Sequence, residues 1–273
     1  MVIPTKRIKR IVWTALLLSF VVFVFIVAMW EWVQNRPPIL EEAFPTGTMV
    51  VGVDATYPPF AVDNGESLYG IDIDIANELA HRMNVDARFV PMGFDGLYDS
   101  LIDGQVDVLI SALLFNSART RDVLYTRPYY DNGLQLVTNA DKGGWTVTNL
   151  PNQSIALEYG SIAHGQANTW LQRIDPFTIH PYELPQYTLD ALRLDGSDSA
   201  LVDMTTLLLY QSRYPEFEVV STQITSAPYV IAIRHDREAT HQWIDAILEN
   251  MKNDGTVDAI INQWFDLQES TDS

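Results

Sequence analysis

Apolar residues along this chain alternate between short β-branched runs and helically spaced positions. Met49–Val53 is a β-branched run that ends at a polar loop, which predicts a strand. Apolar residues then recur every four positions from Ile71 to Met83, which predicts an amphipathic helix over Asp72–Met83. Further predicted elements are a strand at Arg88–Val90, a helix at Gly96–Asp103 and a strand at Val106–Ile110. This alternation predicts an α/β sheet with parallel neighbours.

The same alternation restarts after a break at Lys142–Gly144. The predicted elements are a strand at Ser154–Leu157, helices at Ile162–Arg173 and Tyr187–Leu194, a strand at Ala200–Val202, a helix at Thr205–Tyr214, a strand at Tyr229–Arg234, and helices at Arg237–Asn253 and Thr256–Phe265. The chain after its N-terminal apolar stretch is long enough for two lobes of roughly 100 residues each. Ligands bind at the carboxyl ends of strands in open α/β sheets, so two facing lobes are expected to form a cleft.

The N-terminus carries an uncharged run at residues 11–30 that follows a cluster of Lys and Arg residues. As a helix this run would span about 30 Å, which is one hydrocarbon core. The sequence therefore predicts a cytoplasmic basic segment at residues 1–10, a transmembrane signal anchor at 11–30 and a linker at 31–44, with the body outside the cytoplasm, at the cell surface or in the periplasm. A cleaved signal peptide is the alternative, although no clean small-x-small cleavage site follows Ala28.

Composition excludes several classes of function. The 273 residues include no cysteine, which excludes disulfides, thiolate metal sites, cysteine nucleophiles and a lipid-anchor cysteine. The formal net charge is −18, and the residues beyond position 36 carry the whole excess of acidic side chains. Such a surface repels phosphate backbones, so nucleic acid is not an expected partner. The five histidines show no metal-ligand spacing, and no metal or cofactor is expected.

Loops that follow the predicted strands carry groups suited to an α-amino acid. Asp54 and Asp203 offer carboxylates for an ammonium group, and Arg119 offers a guanidinium for a carboxylate. Tyr57, Phe60 and Phe94 offer flat apolar surfaces. No pair of residues among them implies bond making or breaking.

Each of these residues also has a structural explanation that the sequence leaves open. Asp54 would cap a turn before Pro58, and Asp203 would cap the helix that begins at Thr205. Arg119 would be a solvated charge near a helix start. The aromatic residues, Phe60 above all, would be part of the core.

Seven segments of the chain, in this order, resemble the type II periplasmic binding proteins of polar amino-acid ABC importers. They are VGVDATYPPF (51–60), YGIDIDIANELA (69–80), FDGLYDSLIDGQVDVLISA (94–112), RTRDVLYTRPYYDNG (119–133), ALVD (200–203), APYVIAI (227–233) and DGTVDAIINQWF (254–265). The resemblance implies an α/β, two-lobed Venus-flytrap fold preceded by the transmembrane helix. It implies that residues 45–137 and 227–266 form lobe 1, that residues 138–226 form lobe 2, and that 267–273 is a tail.

The same resemblance assigns roles in the cleft. Asp54 and Asp203 match the ammonium-binding acids, Tyr57 and Phe94 the stacking rings, and Arg119 the carboxylate fork. The full set of expected ligand-binding residues is Asp54, Tyr57, Phe94, Ser111, Ala112, Arg119, Glu158, Ser161 and Asp203. Gly160 and Ser161 match a loop that presents backbone N–H groups to the ligand's carboxylate.

Three positions depart from the family pattern. Leu114 and Ile162 stand where relatives usually carry Ser or Thr, which makes the expected pocket more apolar. Glu158 stands where related binders carry Lys, Gln or other polar groups, and with Asp54 and Asp203 it would favour a cationic side chain.

The implied function is that of the substrate-binding component of an ABC importer. A monomeric body would close on an amino acid, or on a similar small zwitterion or cation, and deliver it to a permease and its ATPase. A tethered sensor for a separate membrane partner is an alternative. A cyclohexadienyl or arogenate dehydratase is disfavoured, because Pro228 stands where those enzymes carry a Glu general acid and proline transfers no proton. No enzymatic activity is therefore expected.

Overall fold

The computed structural model describes residues 13, 18–27, 29–30 and 43–266. The chain forms two compact units, Met1–Ile39 and Leu40–Ser273, and the described residues of the first are helical. Within the described ranges no helix has both the length and the apolarity to cross a membrane. The predicted anchor (11–30) and linker (31–44) lie partly outside these ranges, and the predicted segments 1–10 and 267–273 lie wholly outside them.

The second unit is a succession of strands and helices. Its strands are β1 (Thr48–Val53), β2 (Thr56–Tyr57), β3 (Ala61–Asp63), β4 (Leu68–Tyr69), β5 (Asp86–Pro91), β6 (Val108–Leu109), β7 (Val123–Tyr125), β8 (Tyr130–Asp131), β9 (Leu134–Asn139), β10 (Ser154–Glu158), β11 (Thr178–Tyr182), β12 (Ser199–Asp203), β13 (Val219–Gln223), β14 (Pro228–Tyr229) and β15 (Ala232–Arg234). Its α-helices are α1 (Ile71–Met83), α2 (Leu97–Ile102), α3 (Ile162–Leu171), α4 (Pro185–Arg193), α5 (Met204–Arg213), α6 (Glu238–Asn253) and α7 (Thr256–Asp266).

Helix α1 forms where the apolar spacing predicts it. Its buried stripe includes Ile71, Ile75 and Leu79, which lie on one face because they are four residues apart. Gly70 precedes the helix with φ 136, and a Cβ atom there would lie 2.2 Å from the Phe60 carbonyl oxygen. Glycine is therefore required at the start of α1.

Two five-stranded sheets organise the unit. The first sheet has the order β5-β1-β6-β15-β7, in which β1 is parallel to β5 and β6 while β15 is antiparallel to β6 and β7. The second sheet has the order β11-β10-β12-β9-β13, in which β10 is parallel to β11 and β12 while β9 is antiparallel to β12 and β13. The predicted parallel strands are present, and antiparallel strands extend each sheet.

Each sheet is covered by apolar clusters on both faces, as expected for an α/β fold. In β10, Ile155 and Leu157 pack beneath α3, while Ala156 faces the cluster formed with α4 and α5. Ala43 and Phe44 are only 5% and 2% exposed and pack in the core beside α1. The last two residues of the predicted linker therefore belong to the folded unit, because their apolar side chains are buried there.

Two short chain segments connect the sheets. They run between β8 and β9 and between β13 and β14, and β8 pairs with β14 in a two-stranded sheet. The predicted strand at Tyr229–Arg234 is in fact two strands, because β14 pairs at this connection and β15 belongs to the first sheet. Strand β9 begins at Leu134 and lies wholly in the second sheet, four residues before the 137/138 boundary that the sequence indicated.

Candidate functional site: the loops at the strand ends

The loop after β1 is joined to the loop after β6. The Asp54 backbone N–H donates to Ser111 Oγ at 2.9 Å, as expected for parallel neighbours whose carboxyl ends meet at one edge. Asp54 Oδ1 accepts from both the backbone N–H and the hydroxyl of Thr56, at 3.1 and 2.7 Å. Asp54 therefore caps its own turn, and its Oδ2 atom remains to accept from a ligand.

Some aromatic residues of these loops are exposed, and others are buried in the core. Tyr57 is 44% exposed and stacks on Phe60, with ring centroids 5.5 Å apart and an interplanar angle of 10°. Phe60 itself is fully buried and touches Tyr130 and Tyr229 edge-on. Phe94 is half-exposed in a 3₁₀ turn, Phe94–Gly96. Tyr57 and Phe94 thus offer exposed ring surface, whereas Phe60 supports Tyr57 from below.

The backbone N–H of Ala112 points toward buried side chains. Its N–H donates to Asp72 Oδ2 at 2.9 Å and lies 3.1 Å from the Tyr129 hydroxyl. Its φ of 46° is in the left-handed region, which a residue other than glycine adopts only when its surroundings require it. Burial raises the pKa of Asp72 to about 7, against the opposing effect of the hydrogen bonds from Tyr129 and Ala112.

Arg119 lies in a 3₁₀ turn between β6 and β7. Its guanidinium carbon stands 4.6 Å from the centroid of the Tyr98 ring. Among the described residues Arg119 forms no ion pair with a carboxylate, unlike Arg82, Arg127 and Arg193. A guanidinium held over a ring and left without an anion is able to receive a carboxylate in two-point contact.

The second sheet contributes Glu158 and Asp203. These are the last residues of β10 and β12, which are parallel neighbours, so both carboxylates lie at the same sheet edge. Asp203 is the N-cap of α5, where Oδ1 accepts from the Thr206 N–H at 2.9 Å and Oδ2 from the Thr206 hydroxyl at 2.8 Å. Asp203 therefore has the structural role that the sequence left open, and only its remaining lone pairs are available to a ligand.

The loop between β10 and α3 is already bonded within the protein. Ser161 caps α3, accepting from the His164 N–H at 3.2 Å and donating to the Glu158 carbonyl at 2.8 Å. The Gly160 N–H donates to His164 Nδ1 at 3.0 Å. The Ser161 N–H donates to the Glu158 carbonyl at 3.4 Å. Both backbone donors that the resemblance assigns to a ligand's carboxylate are thus engaged by the chain itself, a feature that the sequence did not indicate.

A chain of polar contacts links Tyr57 to the start of α5, and the sequence did not indicate it. The Tyr229 hydroxyl lies 3.4 Å from the Tyr57 hydroxyl and accepts from Asn132 Nδ2 at 3.0 Å. Asn132 Oδ1 accepts from the Thr205 N–H at 2.8 Å, at the start of α5. The motif YYDNG contains Asn132, but its partners are separated from it by 73 and 97 positions, and no local spacing reveals them.

Residues 49–267 match the model of a protein family described as bacterial extracellular solute-binding proteins, family 3. The chain belongs to this family. The predicted resemblance and the two-lobed α/β fold are confirmed. Within the described residues of this solute-binding protein, no cluster of His, Cys, Asp or Glu side chains has the arrangement of a metal site.

Two relatives of this solute-binding protein are named for the amino acids they bind. The chain is 28% identical over 222 residues to the ABC transporter arginine-binding protein 1 of Escherichia coli (strain K12), covering 78% of this chain and 89% of that protein. It is 25% identical over 233 residues to the L-cystine-binding protein TcyJ of the same strain, covering 83% and 86%. Both are binding proteins by name.

Two solved structures share the fold. An ancestral cationic amino acid solute-binding protein is 27% identical with a TM-score of 0.62, covering 83% of this chain and 99% of that chain. An ancestral cyclohexadienyl dehydratase is 19% identical with a TM-score of 0.68, covering 83% and 95%. At that identity the second likeness concerns the fold alone, so this solute-binding protein gains no enzymatic assignment from it.

Proposed function

We propose that this solute-binding protein is the substrate-binding component of an ABC importer and takes an amino acid, or a similar small zwitterion or cation, between its lobes. One observation carries the proposal: Arg119, with no ion-pair partner among the described residues, lies after β6, and the exposed rings of Tyr57 and Phe94 lie after its parallel neighbour β1 and after β5, which is parallel to β1. A guanidinium fork for a carboxylate and apolar walls for a side chain are the features that an α-amino acid requires.

The sequence indicates residues 45–137 and 227–266 as lobe 1 and residues 138–226 as lobe 2. Because β9 begins at Leu134 and pairs in the second sheet, lobe 1 is proposed to end before Leu134 and lobe 2 to begin there. The two connections between the sheets support this division, because within residues 43–266 the chain passes between the sheets only twice. Two short connections that cross between lobes are suited to act as a hinge.

The ligand's polar ends are assigned by charge. Arg119 pairs with the α-carboxylate, and Asp54 and Asp203 accept from the α-ammonium group. Ser111 orders this edge through its contact with the Asp54 N–H. The Ser161 hydroxyl and the Ala112 N–H are engaged by the chain, so these two residues shape the loops more than they bind the ligand.

A cationic side chain is the proposed specificity. Glu158 is partly buried at the same sheet edge as Asp203, and the two carboxylates would attract a second positive charge. The names of the arginine-binding relative and of the ancestral cationic amino acid solute-binding protein point the same way. Leu114 and Ile162, 49% and 81% exposed, add apolar surface that would pack against the ligand's methylene groups.

A ligand screen tests this function. Full-length protein in mild detergent is heated with each standard amino acid and with polyamines, while tryptophan fluorescence reports unfolding. A ligand at 100 times its Kd should add about 2.7 kcal/mol to the free energy of unfolding, which raises Tm by roughly 5 to 10 °C. No shift with any compound would overturn the amino-acid assignment.

Arg119→Ala should abolish the shift for every ligand that has an α-carboxylate. Arg119→Lys should recover it only in part, because an ammonium group cannot form the two parallel hydrogen bonds of a guanidinium. Arg121→Ala, which removes an exposed charge two positions away, is the matched control and should bind normally. Unchanged affinity in Arg119→Ala would mean that another group holds the carboxylate.

Binding without chemistry is part of the proposal. Pro228 lies in β14, paired with Asp131, and has no group that transfers a proton. Incubation with prephenate or arogenate should therefore give no dehydrated product, and the release of an aromatic product would support the dehydratase alternative.

We also propose that residues 11–30 remain in the mature protein as its membrane anchor. The support is the uncharged run itself and the basic residues before it. Absence of cysteine removes lipidation as a second means of attachment.

A further inference from the structure

A buried carboxylate stands directly behind the loop that follows β6. Asp72 is 1% exposed, in the first turn of α1. Its Oδ1 accepts from the Tyr129 hydroxyl at 2.6 Å, and its Oδ2 accepts from the Ala112 N–H at 2.9 Å. These two bonds join α1, the segment before β8 and the post-β6 loop at one point.

The loop needs this support because its backbone is unfavourable. A left-handed alanine costs of order 1 kcal/mol, so Ala112 keeps its φ of 46° only while its N–H finds partners in that direction. On its other side the loop is held by the Val230 N–H, which donates to the Leu113 carbonyl at 2.8 Å. The residue before Ala112 is Ser111, whose hydroxyl orders the Asp54 backbone.

Tyr129 also packs near the aromatic residues of the candidate site. Its ring lies 6.5 Å from that of Tyr229, centroid to centroid. The Tyr229 hydroxyl in turn lies 3.4 Å from the hydroxyl of Tyr57. Asp72 therefore contacts the loop that carries Ser111, and Tyr129 contacts the ring of Tyr229, which lies behind Tyr57. Both residues are buried.

We infer that Asp72 and Tyr129 are positioning residues for ligand binding: they hold Ala112 in its left-handed conformation and thereby set the direction of Ser111 and the Asp54 backbone. This inference rests on the proposed function, since it concerns how the same site is ordered. Asp72 would thus order the candidate site in addition to its place in the first turn of α1.

The first test needs no ligand. Hydrogen–deuterium exchange is followed by mass spectrometry in peptides that span residues 110–115 of the full-length protein in mild detergent. Asp72→Ala should speed exchange at Ala112 at least about 10-fold, which corresponds to about 1.4 kcal/mol of lost protection. Asp74→Asn is the matched control: Asp74 lies two residues along α1 and accepts from Trp264 Nε1, so exchange in the loop should not change. Unchanged exchange in Asp72→Ala would overturn the inference.

The second test measures affinity by calorimetry with L-arginine, L-lysine, L-histidine, L-glutamine and L-cystine. Asp72→Ala should weaken binding at least about 10-fold, and Tyr129→Phe by less. Asp72→Asn should restore most of the affinity, because a carboxamide oxygen still accepts from the Ala112 N–H. A purely structural role would instead lower stability in Asp72→Asn and Asp72→Ala without this ordering of affinities.

The outcomes separate the two proposals. Wild-type protein that binds none of the five amino acids would overturn the proposed ligand class and the role of Asp72 in binding it. Normal binding in Asp72→Ala and Tyr129→Phe, together with unchanged exchange at Ala112 in both variants, would overturn the positioning role and leave the proposed function intact. If Asp72→Ala does not fold, Tyr129→Phe decides the matter: it removes the hydroxyl that donates to Asp72, and unchanged exchange at Ala112 with unchanged affinity in this variant would overturn the inference.

Discussion

Asp203 shows how one side chain can have a structural and a ligand-binding role. Both its oxygens bond to Thr206 at the start of α5, and we propose that it also receives the ligand's ammonium group. The two roles differ chemically, because capping needs an acceptor oxygen whereas the ligand's ammonium needs a negative charge.

Two substitutions of Asp203 separate these roles. Asp203→Asn keeps an acceptor and should leave the stability of the unliganded protein nearly unchanged while weakening ligand binding. Asp203→Ala should lose both, with a cost of about 1 kcal/mol in the free energy of unfolding. Urea denaturation and calorimetry measure the two effects, and equal binding by wild type and Asp203→Asn would confine Asp203 to capping.

Asp72 makes a second prediction at the residue scale, which concerns pH. Its pKa is raised to about 7 by burial, so the folded state binds a proton more tightly than the unfolded state does. Below about pH 4, Asp72 is neutral in both the folded and the unfolded state, and burying it carries no charge penalty. As pH rises from about 4 to about 7, the unfolded state ionises first, so the free energy of unfolding falls. The loss sums to about 4 kcal/mol at about 1.4 kcal/mol per pH unit.

Comparison with Asp72→Asn isolates this effect. The free energy of unfolding is measured in urea from pH 4 to pH 8 for wild type and for Asp72→Asn. The wild type should become progressively less stable relative to Asp72→Asn up to about pH 7, and the difference should then stay constant. The other carboxyl groups are common to both proteins and cancel. A flat difference would show that Asp72 titrates normally.

At the scale of elements, the two connections between the sheets are fastened to one carboxylate. Asp131 Oδ1 accepts from the Gly133 N–H at 2.9 Å and from the Ala227 N–H at 2.7 Å. Its Oδ2 accepts from the Ser226 hydroxyl at 2.7 Å and from Gln223 Nε2 at 3.0 Å. The two connections also approach closely, since a Cβ atom on Gly133 would lie 1.9 Å from the Thr225 carbonyl oxygen.

Asp131→Ala should therefore destabilise the protein by about 2 to 3 kcal/mol, because it leaves two backbone N–H groups and two side-chain donors without their charged acceptor. Asp141→Ala, at an exposed acid in the 3₁₀ turn Ala140–Lys142, is the matched control and should change stability by less than about 0.5 kcal/mol. Thermal and urea unfolding check both. Equal stability of the two variants would mean that the connections are held by other contacts.

At the scale of the whole molecule, the proposed membrane anchor makes a prediction about the mature N-terminus. If residues 11–30 are retained as an anchor, N-terminal sequencing of mature protein from isolated membranes should begin at or near Met1. Protein that starts near Glu31 and washes off the membrane in salt would instead indicate a cleaved signal peptide.

The sequence by itself determined the elements whose information is local. Helix α1 and the parallel strands β1, β5, β6, β10 and β12 follow from periodicity. Their position just after strands makes Asp54, Tyr57, Phe94, Arg119 and Asp203 candidates for the site, and their ligand-binding roles stay predictions. Strands β7, β9, β11 and β13 were not predicted, although they complete the two sheets.

Only the tertiary structure decided which polar groups of the candidate site bond to the protein itself and which remain for a ligand. A sequence shows that Ser161, Gly160 and Asp203 follow strands, but not that His164 and Thr206 already bond to them. It shows an Asp at the start of α1, but not that this Asp is buried against Tyr129 and Ala112, 57 and 40 positions away. Hydrogen bonds need atoms about 3 Å apart, and the fold alone brings such distant residues to that distance.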